Sequence, residues 1–210
     1  MKHLMNLLSV FLLLFSFSFS AQEIGGKITY KAKNLSAEDR YAKYKESDPE
    51  TYRHFMAVSQ QIAEAKAQLI YTLDFNSKAA VFIAEPILGK GNNIAGGFQR
   101  DTGIYYNSID EQKRFHQTEL KRELYIVEHD PLKWQITGET KKVGEYTAVR
   151  AVSSQIFYRF GEKENLIQDI EAWFVPEIPV SFGPKGYGGL PGLIVDITVA
   201  GERLYATNIS

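Results

Sequence analysis

The residues of this chain best suited to chemistry are its carboxylates around a proline- and glycine-rich stretch. Glu171, Glu177 and Asp196 cluster there, with Trp173 and Tyr187 beside them. Two carboxylates can share acid–base work when their surroundings push their pKa values apart. Glu177 lies between Pro176 and Pro179 and is the most constrained acid in the chain. Nucleophilic catalysis finds less support: there is no cysteine, and no serine sits in a G-x-S-x-G elbow. His54, His116 and His129 have no recognised zinc spacing, so neither a metal nor any other cofactor is expected. His129 next to Asp130 or Glu128 offers the barest start of a cation site, and a solvated turn is its default reading. Two glycine loops invite comparison with phosphate cradles, and both fail. Gly91 and Gly96 have the spacing of a P-loop, but Gly97-Phe98 stands where Lys-Ser/Thr is needed. Gly186 and Gly188 begin a dinucleotide fingerprint that Pro191 breaks, ahead of a strand rather than a helix.

The stretch that carries these acids, Trp173–Asp196, reads WFVPEIPVSFGPKGYGGLPGLIVD. It holds four of the chain's 7 prolines and five of its 16 glycines. Proline fixes φ and donates no backbone hydrogen bond, and glycine opens the φ > 0 region, so no helix or continuous strand runs through it. It must be a shaped loop between strands at Gln168–Val175 and Leu193–Val199. A loop of that length could bridge non-adjacent strands or close one open end of a sheet. In the second strand Leu193, Val195 and Ile197 are expected on one face, with Ile194, Asp196 and Thr198 on the other.

The elements that must position this loop are mostly strands. Alternating runs recur at Ile24–Lys31, Leu69–Phe75, Ala79–Glu85, Ile104–Ser108, Lys113–Glu119, Glu123–His129, Trp134–Thr137, Lys141–Val143, Tyr146–Ser153, Gln155–Phe160 and Leu204–Ile209. Asn76-Ser77-Lys78 makes a three-residue hairpin loop, and Gly89–Gly103 a long glycine-rich connection. One helical insertion interrupts them near residues 47–66. Ser47-Asp48-Pro49-Glu50 is a capping-box start, and Tyr52, Phe55, Met56, Ser59, Ile62 and Ala63 form a narrow apolar stripe. Ser36–Asp39 could open an earlier, shorter helix. The expected fold is mainly β: an antiparallel meander forming a half-barrel or incomplete barrel, with the helix outside the sheet or across its mouth.

Composition bounds the partners. The 210-residue chain has a net charge of −1 and no basic stripe, which argues against nucleic acid. Lys2 and His3, the apolar run Leu4–Phe19 and the small residues Ser18 and Ser20 lay out a signal peptide over residues 1–20. An exported chain of residues 21–210 is expected as one β-rich domain, in the periplasm, on the outer membrane or outside the cell, with no further membrane span.

The motifs also carry a resemblance. Gly188–Ile194 reads GGLPGLI (Gly188, Gly189, Leu190, Pro191, Gly192, Leu193, Ile194), and it resembles the signature of the GLPGLI family of exported Bacteroidetes proteins. Trp173–Pro179 is similar to that family's W-[YF]-T-P-E-I-P, with Val175 in place of threonine. Gly183, Pro184 and Tyr187 fit its following run, and Trp134–Ala151 resembles its upstream segment. Ala148 stands where many relatives have cysteine. The family's activity is unassigned. Relatives often continue into a basic tail, which makes a C-terminal truncation after Ser210 an expectation.

Three functions follow for testing. A concave, aromatic-lined face suits a non-enzymatic binding module for an apolar small molecule, lipid or peptide segment, with Trp173, Glu177, Tyr187 and Asp196 as contacts. The Pro/Gly loop could instead dock an envelope protein. A hydrolase built on Glu177 and Asp196 is the third.

Overall fold

The computed structural model of the protein describes residues 24–35, 38, 41–85, 103–110, 113–120, 122–159 and 164–210. The proposed signal peptide and most of Gly89–Gly103 lie outside them, as does most of Ser36–Asp39.

The period-two runs form one antiparallel sheet of eleven strands that does not close into a barrel. The strands are β1 (Gly26–Asn34), β2 (Tyr71–Phe75), β3 (Ala79–Ala84), β4 (Ile104–Ser108), β5 (Lys113–Leu120) and β6 (Glu123–Glu128), then β7 (Gln135–Val143), β8 (Tyr146–Arg159), β9 (Glu164–Val175), β10 (Leu193–Val199) and β11 (Glu202–Ile209). Their order is β6-β5-β4-β3-β2-β1-β11-β10-β9-β8-β7. Two sequential meanders are thus joined where the first strand pairs with the last.

Local chemistry explains the joints. Asn76 turns the β2–β3 hairpin by accepting from the Lys78 and Ala79 amides, both at 2.8 Å. Two pairs of expected strands fuse. Trp134–Thr137 and Lys141–Val143 become β7, because an irregularity between Ile136 and Thr140, with Gly138 at φ 81°, absorbs the break without ending the ladder. Tyr146–Ser153 and Gln155–Phe160 become the single long β8.

The insertion is a short α1 (Tyr44–Ser47) followed by α2 (Pro49–Ala67). Asp48, not Ser47, caps α2: its carboxylate accepts from the Thr51 amide at 3.0 Å, while Ser47 donates to the Lys43 carbonyl. Pro49 opens α2, where its missing N–H has no partner to lose. Ser59 is α2's buried residue, and Phe55 stacks on Tyr41 with ring centroids 4.8 Å apart.

The sheet curls. Tyr105 of β4 and Ile197 of β10 line the same cavity although four strands lie between them in the sheet. Ile28, Tyr30, Tyr71, Leu73, Phe82, Ile170, Phe174 and Leu204 are buried on its inner side. Tyr71 stacks on Phe82, and Tyr30 and Tyr105 meet Phe82 edge-on. Part of the concave interior is therefore filled by strand side chains. The loop supplies much of the rest.

Candidate functional site

β9 and β10 are direct neighbours, so the Pro/Gly loop does not bridge distant strands. It folds inward and packs against β3, β4 and β5. Val180, Phe182, Pro184 and Leu190 are buried, and Phe182 is wholly so. A bridge pairs Phe182 with Gly188, the Gly189 amide donates to the Ser181 carbonyl, and the Ile194 amide donates to the Phe182 carbonyl. Trp134 Nε1 donates to the Gly188 carbonyl at 2.8 Å, pinning the loop from the other side. The glycines are required where backbone meets backbone. A Cβ on Gly188 would run into the Ser181 carbonyl oxygen and lie 2.9 Å from Asn107 Nδ2. Gly189 has φ +89°, a conformation that side chains resist. Of Gly183–Ile194, only Gly189 and Pro191 are exposed. A loop so deeply inserted offers little surface to an outside partner.

The four expected contact residues separate. Cross-strand register puts Ile194 opposite Phe174 but Asp196 opposite Trp173, because a bulge intervenes between Ile194 and Asp196. Neighbours along β9 point to opposite faces, so Ile194 does not share the face of Asp196, contrary to strict alternation. Asp196 and Trp173 lie together on the outer face. Asp196 is buried there and accepts from Arg203 at 2.9 and 2.6 Å and from Lys141 at 2.5 Å. Lys141 also sits 4.2 Å from the centre of the Trp173 ring. Arg150 joins Glu171 to Glu139, and Trp173 Nε1 donates to Glu171 at 3.0 Å. Desolvation raises the Glu171 pKa, but the Trp173 and Arg150 hydrogen bonds outweigh it and leave the carboxyl below its ordinary value. This is a satisfied ion network stapling β7 to β11. Glu177 stands apart, exposed, accepting from the Thr147 amide at 3.3 Å. It has no partner in common with Asp196, so the described contacts give the two carboxylates no shared reaction centre.

Tyr187 alone of the four enters the concave side, where a cavity of about 470 Å³ lies under α2. Ser59, Ile62 and Lys66 of α2 form its roof with Tyr41. Tyr105, Ile197, Val199 and Leu204 form an apolar and aromatic floor, and Lys185, Tyr187 and Glu202 one wall. Lys66 and Lys185 both reach Glu202, to its two different oxygens, at 2.6 and 2.5 Å. All three charged side chains are less than a fifth exposed. Burial raises the Tyr187 phenol, with Lys185 and Arg114 pulling it back. Beside it Arg114 approaches the Tyr187 ring at 5.9 Å, and its Nε and Nη1 are shut from solvent with no hydrogen-bond partner. His116 stacks flat on Tyr105 at 4.0 Å and lies 6.1 Å from His129. Desolvation and Arg114 hold the His129 imidazole below its ordinary range, against Asp130. Among the described residues no three acidic or histidine ligands converge as a metal site.

Lys66, Lys185, Glu202 and Arg114 belong to no motif of the sequence. Lys66 sits four residues after Ile62 on α2's inner stripe, a signal that was present. Nothing in spacing announced that it meets Glu202 across 136 residues.

Residues 159–196 match the family model described as a protein of unknown function (Porph_ging). No curated protein matches the chain. Two solved structures of PNGF-II, one in space group C2 and one in P21, share its fold at TM-scores of 0.53 and 0.52. Each is 16% identical and is matched over 90% and 89% of this chain. This chain spans only 28% of either PNGF-II chain.

Proposed function

We propose that this chain is an exported, GLPGLI-type binding module that holds an apolar small molecule between α2 and the concave face of its sheet. The cavity of about 470 Å³ carries the reading, since small-ligand sites commonly occupy about 300–1,000 Å³, and its lining sets apolar side chains beside a larger polar share that includes Asn34, Ser59, Lys66, Lys185 and Glu202. Ile62, Ile197, Val199 and Leu204 supply the apolar wall, and Tyr41, Tyr105 and Tyr187 add rings with polar tips. The uncharged fluorophore N-phenyl-naphthylamine serves as probe. Ile62→Trp, which fills the cavity from its roof, is expected to abolish the fluorescence gain while the melting temperature holds. Equal probe binding by both proteins would place the ligand elsewhere and defeat the reading.

Export rests on the basic start, the apolar run and the small residues before Ala21. The mass of the protein recovered from the envelope or medium of a native-type host is expected to correspond to a chain beginning near Ala21. A mass that still includes residues 1–20 would overturn the cleavage.

A further inference from the structure

We infer that the edge strand β6 pairs with β6 of a second copy of this chain, antiparallel about a two-fold axis at Tyr125, so that one sheet runs through a homodimer. The inference does not depend on the cavity being a ligand site.

The two edges of the sheet differ. Among the described residues, β6 and β7 are its end strands. An open edge presents unpaired amides and carbonyls, and chains that must stay apart blunt it with bulges, prolines and lysines. β7 is protected in this way: its ladder is irregular between Ile136 and Thr140, Gly138 has φ 81°, and Lys141 and Lys142 follow. β6 reads ELYIVE, without proline, glycine or lysine, and keeps one register on β5 from Glu123 opposite Leu120 to Glu128 opposite Phe115. All six of its residues are exposed, Leu124 at 70% and Ile126 at 71%. β6 is the edge open to addition.

Hydrogen-bond parity limits how a second strand fits. The His129 amide donates to the Arg114 carbonyl. Bonds are exchanged at every second pair of an antiparallel ladder, so Glu123, Tyr125 and Val127 direct their backbone groups at β5. The amides and carbonyls of Leu124, Ile126 and Glu128 therefore point away from the sheet. A second β6 must bring these same residues opposite them. The register of fullest overlap, Glu123 opposite the partner's Glu128, fails twice: it sets outward groups against inward ones and puts two carboxylates face to face. A shift of one residue satisfies the parity. Tyr125 then lies on the two-fold axis, Leu124 is opposite the partner's Ile126, and Arg122, in the turn just before β6, is level with the partner's Glu128. The alternative centred on Ile126 sets Leu124 against a carboxylate instead.

The register centred on Tyr125 is complementary in both polarity and charge. Leu124 and Ile126 share one face of β6, so the axis gathers four exposed aliphatic side chains into one cluster. Opposite charges stand at each end of that cluster. The pairing also closes on itself, whereas β6 on the partner's β7 would leave free edges and propagate.

The chain has no cysteine, so one introduced thiol reports on one position. Opposed residues in a non-hydrogen-bonded pair lie about 4.5 Å apart at Cα, within disulfide range, and residues two places out of register lie beyond about 7 Å. Under mild oxidation by diamide, on the full chain after any signal cleavage, Tyr125→Cys is expected to give a disulfide-linked dimer and Leu124→Cys to stay monomeric. Sedimentation velocity of the native chain should show a dimer whose share rises with concentration. Ile126→Lys should weaken it about tenfold, because the two-fold axis counts the lost pair with Leu124 twice. Ile126→Pro should leave a monomer, since it removes an outward amide and no bond to β5. Ile156→Lys, in the exposed Ile156–Ile167 pair of β8 and β9, should keep the dimer. A native chain that is monomeric at every concentration, equal cross-linking of the two cysteine variants, or a dimer lost in Ile156→Lys but kept in Ile126→Lys would each overturn the inference. Should Ile126→Pro unfold, Ile126→Lys and the cysteine pair still decide.

Discussion

Alanine at Gly188 is expected to destabilise the fold by about 3–5 kcal/mol, a loss reserved for a few severe mechanisms. The added Cβ would collide with the Ser181 carbonyl, and backbone cannot rotate away as a side chain does. The collision falls on the bridge between Phe182 and Gly188, and on the Gly188 carbonyl that Trp134 holds. Gly144 is the control. It has φ +60° and nothing within 4 Å of its virtual Cβ, so Gly144→Ala meets backbone strain alone, about 1–2 kcal/mol. Urea denaturation of both variants checks this. A Gly188 variant no worse than the Gly144 variant would mean that the loop packs loosely.

Phe182→Ala is the second large effect, again about 3–5 kcal/mol. Phe182 is wholly buried, and its backbone carries hydrogen-bonded partners on both sides of the loop. Removing a whole ring leaves a hole that neighbours held by eleven paired strands cannot easily collapse into. For a domain of this size the melting temperature should fall by roughly 6–20 °C. Unchanged melting would show that the loop is an appendage.

Both expectations follow from the burial of the Pro/Gly stretch in the core. Its unusual composition invites a functional reading, and the packing gives a structural one. Four prolines stiffen a chain that must lie across β3–β5 without a strand's ladder, and the glycines allow its backbone to touch other backbone. The functional candidates are then the loop residues that line the cavity, Lys185 and Tyr187.

How far the residues foretold this depends on the range of the interaction. The β2–β3 hairpin was legible because Asn76 closes its own turn, and α2 because Pro49 and its apolar stripe are local. The helix starts one residue later than a Ser47 cap implies, since Asp48 and Ser47 are both good caps and only geometry chooses between them. The fused strands β7 and β8 escaped because a bulge and a change in polarity look like ends when the partner strand is unknown. For Asp196 the strand and the companion Thr198 are as expected, and only Ile194 is displaced. A single bulge at its N-terminal side sets Ile194 and Asp196 on opposite faces, and alternation has no means to announce it. The cavity was least legible of all. Ser59, Lys66, Lys185 and Glu202 come from three separate parts of the chain, and only the curl of the sheet brings them together.

Amide hydrogen exchange of the loop tests the central claim most directly. The Gly189, Leu193 and Ile194 amides donate to Ser181, Ile178 and Phe182. If the loop is part of the core, these amides exchange only through global unfolding, as slowly as the amides of β1 and β10. Exchange orders of magnitude faster than in those strands would show a loop that opens on its own, and would contradict the account.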